Sequence, residues 1–311
     1  MTQPPKMIGL AAYPEAQSAA IHGLQDLFAV ANQFQQDQAD KPRPVETRVI
    51  EAFGKADNGL EALILPPALG QRVSDAQEKI LVDWVQRHHR RGALICSICA
   101  GAFPLAASGL LDGRQATTHW ALAADFAARF PQVRLQADQL LIDDGDIITA
   151  GGLMAWTDLG LHLIARFMGP AVMLQVARFF LIDPGRRAQS FYISFSPNLT
   201  HGDDAILRAQ HWVQTCYAEQ VSVTDMARTA RLEPRTFGRR FHTATGVSPS
   251  EYLQQLRISK ARERLELSQA SIETIARDVG YMDISAFRRM FHKVVGLSPG
   301  EYRKRFSLAK A

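Results

Sequence analysis

The residues best placed to do chemistry surround two cysteines, in the run Ala93-Leu-Ile-Cys-Ser-Ile-Cys99-Ala-Gly-Ala-Phe103. An apolar strand pattern ends at Cys99, small residues follow, and a helical pattern begins at once. A cysteine on such a sharp strand-to-helix turn is expected to be exposed, and the N-terminus of the helix should lower the pKa of its thiol. The pattern therefore predicts that Cys99 can form a reactive thiolate.

Cys96 and Cys99 also have the spacing of a redox dithiol or of half a zinc site. Two observations argue against both interpretations. The Cys96 side chain should be buried where its strand packs, and the one remaining cysteine, Cys216, supplies no second pair. We therefore expect no metal and no cofactor. An odd and sparse cysteine count is typical of a protein in a reducing cytoplasm rather than of a disulfide framework.

Strand-like and helix-like stretches alternate over the first ~180 residues. Strands are predicted at 7–12, 45–50, 62–65 and 93–96, and helices at 19–32, 74–92, 100–108 and 156–167, with Ser74 capping the second helix. Residues 135–142 and 146–149 have the pattern of a hairpin turned by Asp144-Gly145. This alternation predicts a flavodoxin-like α/β domain, with a mostly parallel sheet flanked by helices on both faces.

Beyond these elements the character of the chain changes. We assign 1–182 to the α/β domain, the Pro- and Gly-containing stretch 183–201 to a linker, and 202–311 to an all-α domain. The last domain holds 18 basic and 12 acidic residues, whereas the rest of the 311-residue chain holds 17 and 19. This basic excess indicates either a polyanionic partner or a solvated face.

The all-α domain contains an internal repeat at a spacing of 50 residues. The matching pairs are 237–242 (FGRRFH) with 287–292 (FRRMFH), 246–252 (GVSPSEY) with 296–302 (GLSPGEY) and, at a spacing of 49, 226–228 (MAR) with 275–277 (IAR). We attribute the one-residue slip to Gly280 in the second turn. A repeat of this length predicts one supersecondary unit built twice.

Each repeat has the sequence pattern of two helices around a tight turn. Ser222 and Ser271 are predicted to cap the first helix of each pair, and Pro234 and Asp283 to begin the second. Both units close with Ser-Pro-x-Glu, in which serine caps, proline takes the first helical position and glutamate reaches back. The helix over 249–267 should join the two units rigidly.

Phenylalanines spaced four apart should turn inward in the second helix of each pair, which leaves a polar face outward. That face holds Arg235, Thr236 and Arg239 in the first unit, and Ser285, Arg288, Arg289 and His292 in the second. Arginine can donate two hydrogen bonds to a guanine edge or clamp a phosphate. Ordinary surface arginines are the alternative, but the repeat favours contact with DNA.

These residues also carry a family resemblance. Residues ~205–306 resemble the AraC/XylS DNA-binding domain, most specifically over 277–303 (RDVGYMDISAFRRMFHKVVGLSPGEYR). The resemblance implies two recognition helices that enter successive major grooves ~34 Å apart. It implies sequence-specific regulation of transcription, with double-stranded promoter DNA and RNA polymerase as partners.

The first half of the chain resembles the ThiJ/PfpI (class I glutamine-amidotransferase-like) fold, and the whole resembles GlxA-type AraC regulators. The matching pieces are Cys99-Ala-Gly-Ala-Phe, 109–114 (GLLDGR) and 116–120 (ATTHW). Cys99 aligns with the nucleophile of the superfamily, but Ala100 stands where the enzymes have His or Thr, and we place their aspartate at Ala20. A nucleophile needs a base within hydrogen-bond reach, so the resemblance implies a catalytically degenerate site.

We therefore expect a regulator rather than an enzyme, with a small-molecule effector held near Cys99, His119, Trp120, Glu15 and His22. His119 is either a substitute base or a buried structural histidine. The resemblance to GlxA-type regulators implies that the effector is an amine, an amino acid or a quaternary ammonium compound. Aromatic rings can hold such a cation, and Tyr13, Trp120 and Trp156 are available if they line the pocket.

Two alternatives remain open: a ThiJ/PfpI-type cysteine hydratase or amidase with a DNA tether, and a DNA-binding structural protein without a ligand.

We expect a homodimer formed through residues 1–182. The longest apolar runs are too short for a membrane span, and the N-terminus has no basic leader. We expect no membrane partner, no secretion and a cytoplasmic location.

Overall fold

The computed structural model describes residues 4–35, 43–53, 59–70, 75–184, 189–192, 195 and 197–307. The chain divides into two compact units, Met1–Gln189 and Ser190–Ala311. The predicted helix cap at Ser74, and residues 185–188, 193, 194 and 196 of the predicted linker, lie outside the described residues. No helix in the described part of the chain is long and apolar enough to cross a membrane.

The N-terminal unit is built on a six-stranded sheet with the order β2-β1-β3-β4-β8-β7. Its strands are β1 (Lys6–Ala11), β2 (Val45–Ile50), β3 (Leu60–Leu65), β4 (Leu94–Ile98), β7 (Leu141–Asp143) and β8 (Ile147–Ala150). All neighbouring pairs are parallel except β7 with β8. Two short strands, β5 (Gln115–Ala116) and β6 (Arg134–Leu135), pair outside this sheet. The predicted α/β class with a mostly parallel sheet is confirmed.

Helices cover both faces of the sheet because its strands are apolar on both sides. In β3, Ala62 and Ile64 join one core while Leu63 and Leu65 join the other. The first core includes α1 (Ser18–Gln35), α5 (Trp156–Met168) and α6 (Pro170–Phe179); the second includes α2 (Asp75–Arg90), α3 (Ala102–Ala107) and α4 (Ala123–Arg129).

The predicted hairpin is wrong in its first arm. Only Leu141–Asp143 pairs with β8, whereas a strand was expected over 135–142. Residues 136–140 instead form a loop. The carbonyl of Leu140 accepts from the Gly151 amide, which extends the β7–β8 pairing by one bond, whereas the carbonyl of Asp138 accepts from the amide of the distant Gln189. The apolar alternation therefore predicted a first arm that is longer than the strand that pairs.

The C-terminal unit is all helical among its described residues. Its helices are α7 (Asp204–Cys216), α8 (Val223–Ala230), α9 (Pro234–Thr245), α10 (Pro249–Leu267), α11 (Ile272–Asp278), α12 (Ile284–Val295) and α13 (Pro299–Phe306). The predicted serine and aspartate caps form: Ser222, Ser248, Ser271, Asp283 and Ser298 each accept a backbone N–H in the first turn of their helix. Of the two Ser-Pro-x-Glu motifs, only the second has the predicted glutamate bond, in which the Glu301 carboxylate accepts from the backbone amide of the capping Ser298.

The one-residue slip in the repeat does not come from Gly280. Arg231 and Gly280, 49 residues apart, both adopt the left-handed conformation that ends the first helix of each pair. The next residues match as well, since Leu232 N–H donates to Ala227 and Tyr281 N–H to Ala276. The extra residue therefore follows Tyr281, before the capped start of α12.

Candidate nucleic-acid interface and cysteine site

In α9, Phe237 and Phe241 are completely buried in the core of the first repeat. Arg235 and Arg239 lie on the exposed side of the helix, one turn apart, with Thr236 half-buried beside them. An aromatic pair four residues apart therefore determines which side faces solvent. The role of these three residues in binding DNA stays a prediction.

The second repeat shows the same arrangement in α12. Phe287 and Phe291 are completely buried, while Ser285, Arg288, Arg289 and His292 are all exposed. Residues three and four apart share one face of a helix, so these four form a continuous polar surface. Their DNA contacts also stay a prediction.

The arginines of the two helices differ in their intramolecular partners. Arg288 donates to Glu273 at 3.0 Å, and Arg289 lies 3.8 Å from Asp283. Among the described residues, the side chains of Arg235 and Arg239 form no hydrogen bond or ion pair. The guanidinium groups of Arg235 and Arg239 are thus available for an external anion, whereas those of Arg288 and Arg289 must first leave a carboxylate.

The long helix α10 holds the two repeats together. Its Leu253 and Leu256 pack into the first core, and its Ile258 and Ala261 into the second. Arg257 strengthens the junction by donating to the carbonyls of Tyr217 at 2.8 Å and Glu219 at 2.7 Å. The spacing of the two polar helix faces is therefore built into one compact unit.

In the N-terminal unit, Cys99 directly follows β4, has a left-handed backbone conformation (φ 53°) and begins a short 3-10 helix. Gly101 fits against the backbone of the neighbouring strand: a Cβ there would stand 2.4 Å from the Leu65 carbonyl oxygen. The carbonyl of Cys99 accepts from Thr118 Oγ1 at 2.8 Å. The sharp turn predicted from the sequence is present and is supported by two distant segments.

The prediction that Cys99 is exposed with a lowered pKa is wrong. Its side chain is only 5% exposed, and burial raises the pKa of the thiol to about 11, although the Ala100 amide partly opposes this. No described side chain forms a hydrogen bond with its sulfur. Burial also raises the pKa of Cys96, which lies in the core as expected. Within the described residues no His, Cys, Asp and Glu cluster could hold a metal.

The raised pKa predicts slow and strongly pH-dependent alkylation of Cys99. At pH 8 a thiol with a pKa of about 11 is about 0.1% thiolate. The rate with iodoacetamide should therefore rise about tenfold per pH unit toward pH 11, because only the thiolate reacts. Peptide mass spectrometry of native protein at each pH measures this, and urea-unfolded protein is the control, in which the rate should level off near pH 9. A native rate that is already level at pH 8 would contradict the protonated state.

The other predicted pocket residues are not bonded to Cys99. His119 is half-buried, and its Nδ1 accepts from the Ala121 amide, which caps the turn that follows. Burial lowers the pKa of His119. Glu15 is exposed with its carboxylate against Gly70, and His22 lies exposed on α1, 3.0 Å from Gln25 Oε1. His119 thus caps the turn that follows it, and among the described residues no base is hydrogen-bonded to the Cys99 thiol.

The three aromatic residues considered for a cation site lie on separate elements. Tyr13 is buried after β1 and its hydroxyl donates to the Pro66 carbonyl. Trp120 lies against the His119 ring, and Trp156, at the start of α5, lies against the backbone of Gly23. No contact among these three rings occurs in the described part of the chain.

Sequence reasoning missed one residue near this site, Gln189. It lies in the stretch assigned to a linker, yet it is only 2% exposed and its side-chain amide bonds to Thr118 and Trp120. The segment around it has no apolar periodicity, and its partners are 69 to 71 residues away in sequence. No local signal could have identified it.

Comparison with known proteins matches two families. Residues 38–166 match the DJ-1/PfpI family, and residues 226–305 match a helix-turn-helix domain. The chain is 27% identical over 289 residues to the HTH-type transcriptional regulator ArgR of Pseudomonas aeruginosa, which covers 90% of this chain and 88% of that protein. It is 30% identical to the HTH-type transcriptional regulator GlxA of Rhizobium meliloti, and this match spans 63% of this chain and 61% of that protein.

An enzyme is also among the relatives. The isonitrile hydratase of Pseudomonas putida is 29% identical over 111 residues, which is 35% of this chain and 46% of that protein. Both family matches agree with the resemblances seen in the sequence.

Proposed function

Because the chain joins a DJ-1/PfpI-family domain to an AraC-type helix-turn-helix domain, we propose that it is a sequence-specific transcription regulator controlled by a small molecule. The observation that carries the proposal is the pair of polar helix faces on α9 and α12, which one helix, α10, holds in a single compact unit. Two such helices suit two successive major grooves on one side of a duplex.

We assign the DNA contacts to the exposed faces of both recognition helices. In the first unit, Arg235 and Arg239 bind base edges or phosphates, with Thr236 beside them. In the second unit, the same kind of contact is made by Ser285, Arg288, Arg289 and His292. Exposed arginines at the start of a recognition helix are well suited to guanine edges. The basic excess of the C-terminal unit supports the same assignment.

The N-terminal domain, placed at 1–182, acts as the sensor, and 183–201 links it to the DNA-binding domain at 202–311. Its small-molecule site lies around Cys99, with His119, Trp120, Glu15 and His22 as candidate lining residues. The buried, protonated thiol and the absence of a base bonded to it in the described residues favour binding over catalysis. The resemblance to GlxA-type regulators makes an amine, an amino acid or a quaternary ammonium compound the expected ligand class.

Homodimerisation through residues 1–182 and contact with RNA polymerase belong to the same proposal. Leu174, Phe179 and Leu181 of the N-terminal unit are exposed large apolar side chains, which supports an association there. Two linked DNA-binding units gain avidity when both reach their half-sites. Sedimentation of the full chain measures the association.

A selection experiment tests the function. The full chain is incubated with a random-sequence duplex library, and the enriched DNA is sequenced. We expect an enriched motif with two segments one helical turn apart, about 10 to 11 base pairs, and binding that weakens steeply from 50 to 200 mM salt. The matched control is a chain with Arg235, Arg239, Arg288 and Arg289 all changed to alanine. No enriched motif, or equal enrichment by the control, would refute the proposal.

A cysteine enzyme is the second candidate, and similarity to the isonitrile hydratase favours it. That candidate needs a Cys99 thiolate near neutral pH. The pH profile of Cys99 alkylation therefore separates the two candidates, because a ligand-binding site has no need of a thiolate.

A further inference from the structure

Arg231, in the turn between α8 and α9, has a backbone conformation that favours glycine. It ends α8 in the left-handed region, with φ 57° and ψ 44°. A residue with a Cβ is strained there. The equivalent residue of the second repeat is Gly280, which has the same left-handed conformation with φ 90°. The first repeat therefore keeps an arginine at a position where the second repeat has the residue that the turn prefers.

The two turns differ in the space around this position. A Cβ on Gly280 would stand 2.8 Å from the Ala218 carbonyl oxygen and 3.0 Å from the Arg257 guanidinium carbon. Packing thus excludes a side chain from the second turn. Arg231, in contrast, is exposed, and its side chain forms no hydrogen bond or ion pair with any described residue. The strained arginine is therefore not explained by a contact within the described structure.

The negative end of the α8 dipole does not explain this arginine either. A cation can stabilise the C-terminal end of a helix, but Arg208 of α7 already occupies that place. Its Nη2 donates to the carbonyl of Ala230, the last residue of α8, at 3.3 Å. The backbone amides of residues 231 and 232 cap two further carbonyls of the helix. The end of α8 is thus satisfied without the Arg231 side chain.

The position of Arg231 is fixed next to the start of the recognition helix. Ala230 before it is buried, and Leu232 after it packs against the core of the first repeat. Pro234 then begins α9, with Arg235 exposed in its first turn. In a helix-turn-helix unit the first helix crosses the DNA backbone, and the second places its N-terminal residues at the bases. The turn between them is therefore next to the DNA backbone when α9 enters a groove.

We propose that Arg231 binds a DNA phosphate and thereby fixes the register of α9 in the major groove. A guanidinium can donate two parallel hydrogen bonds to one phosphate. Phosphate contacts position a DNA-binding unit without reading its sequence. The second repeat has no equivalent side chain, so this contact positions α9 and not α12. The inference rests on the proposed function, because it adds a residue to the same DNA interface.

The test measures DNA binding of the full chain between 50 and 200 mM salt, on its selected duplex and on a scrambled one. Arg231→Gly should make the slope of log K against log salt less steep by about 0.9, because one phosphate contact is lost. Its loss of affinity should be the same on both duplexes, and about 3- to 4-fold larger at 50 mM than at 200 mM salt. Arg231→Lys keeps the charge and should retain most of the slope.

Thermal unfolding separates a DNA contact from a role in the fold. Arg231→Gly should unfold at the same temperature as the unaltered chain or at a higher one, because glycine adopts the left-handed conformation without strain. Affinity for DNA and stability should therefore change independently or in opposite directions. A lower unfolding temperature together with weaker binding would assign Arg231 to the fold and overturn the proposal.

Arg228→Ala is the matched control for the loss of charge. It removes one positive charge from the same helix, but from a guanidinium that lies 2.9 Å from the Asp225 carboxylate, and it should leave the slope nearly unchanged. An equal fall in slope for both variants, or an unchanged slope for Arg231→Gly, would overturn the phosphate contact and leave the proposed function intact. Absence of salt-dependent binding by the unaltered chain would overturn both.

Discussion

Changing Arg239 to alanine should weaken binding of the full chain to its selected DNA site by roughly 1–3 kcal/mol, which is roughly 5- to 150-fold. Its guanidinium is exposed on α9 and forms no intramolecular bond among the described residues. It can therefore bind a base edge without first breaking a bond. Fluorescence anisotropy on specific and scrambled duplexes measures the loss, which should be concentrated on the specific site.

The neighbouring residue supplies the control for this substitution. Arg240 lies on the same helix, but its guanidinium donates to both carboxylate oxygens of Asp203, at 2.9 and 2.7 Å. Arg240→Ala should therefore leave DNA affinity close to that of the unaltered chain. An equal loss from the two substitutions would contradict the assignment of Arg239 as a specific contact.

The same comparison extends to the second repeat. Arg288 and Arg289 must leave Glu273 and Asp283 before they bind DNA. We therefore expect Arg289→Ala to cost less than Arg239→Ala. This difference would make α9 the main source of sequence specificity.

Changing Phe287 to alanine should lower the free energy of unfolding of the second repeat by roughly 3–5 kcal/mol. The ring is completely buried, 5.4 Å from Tyr281 and 5.7 Å from Phe291 between centroids. A loss of this size is a large part of the stability of a typical domain, so DNA binding through α12 should fail as well.

Hydrogen exchange followed by mass spectrometry on peptides from 284–295 measures this local stability. Met282→Ala is the control, because that side chain is 81% exposed in the preceding turn and should change stability by less than about 0.5 kcal/mol. Exchange in α12 that is the same for both variants would show that Phe287 does not support the recognition helix.

The sequence by itself determined the C-terminal unit in most of its detail. Serine and aspartate caps act within one helical turn, and phenylalanines four apart define a buried face, so neighbouring residues suffice to specify these elements. The strand-to-helix turn at Cys99 and the mostly parallel sheet were predictable for the same reason, since both are patterns of local periodicity.

Only the tertiary structure decided the pKa values and the ion pairs of the side chains on these elements. The pKa of Cys99 follows from its burial, and the Thr118 contact that supports its turn lies 19 residues away in sequence. The pairing of Arg288 with Glu273, and of Arg240 with Asp203, depends on helices brought together by packing. Gln189 is the extreme case, because the partners of its side chain are 37 to 72 residues away. Solvent access and long-range hydrogen bonds arise only when distant segments meet, and spacing along the chain does not encode them.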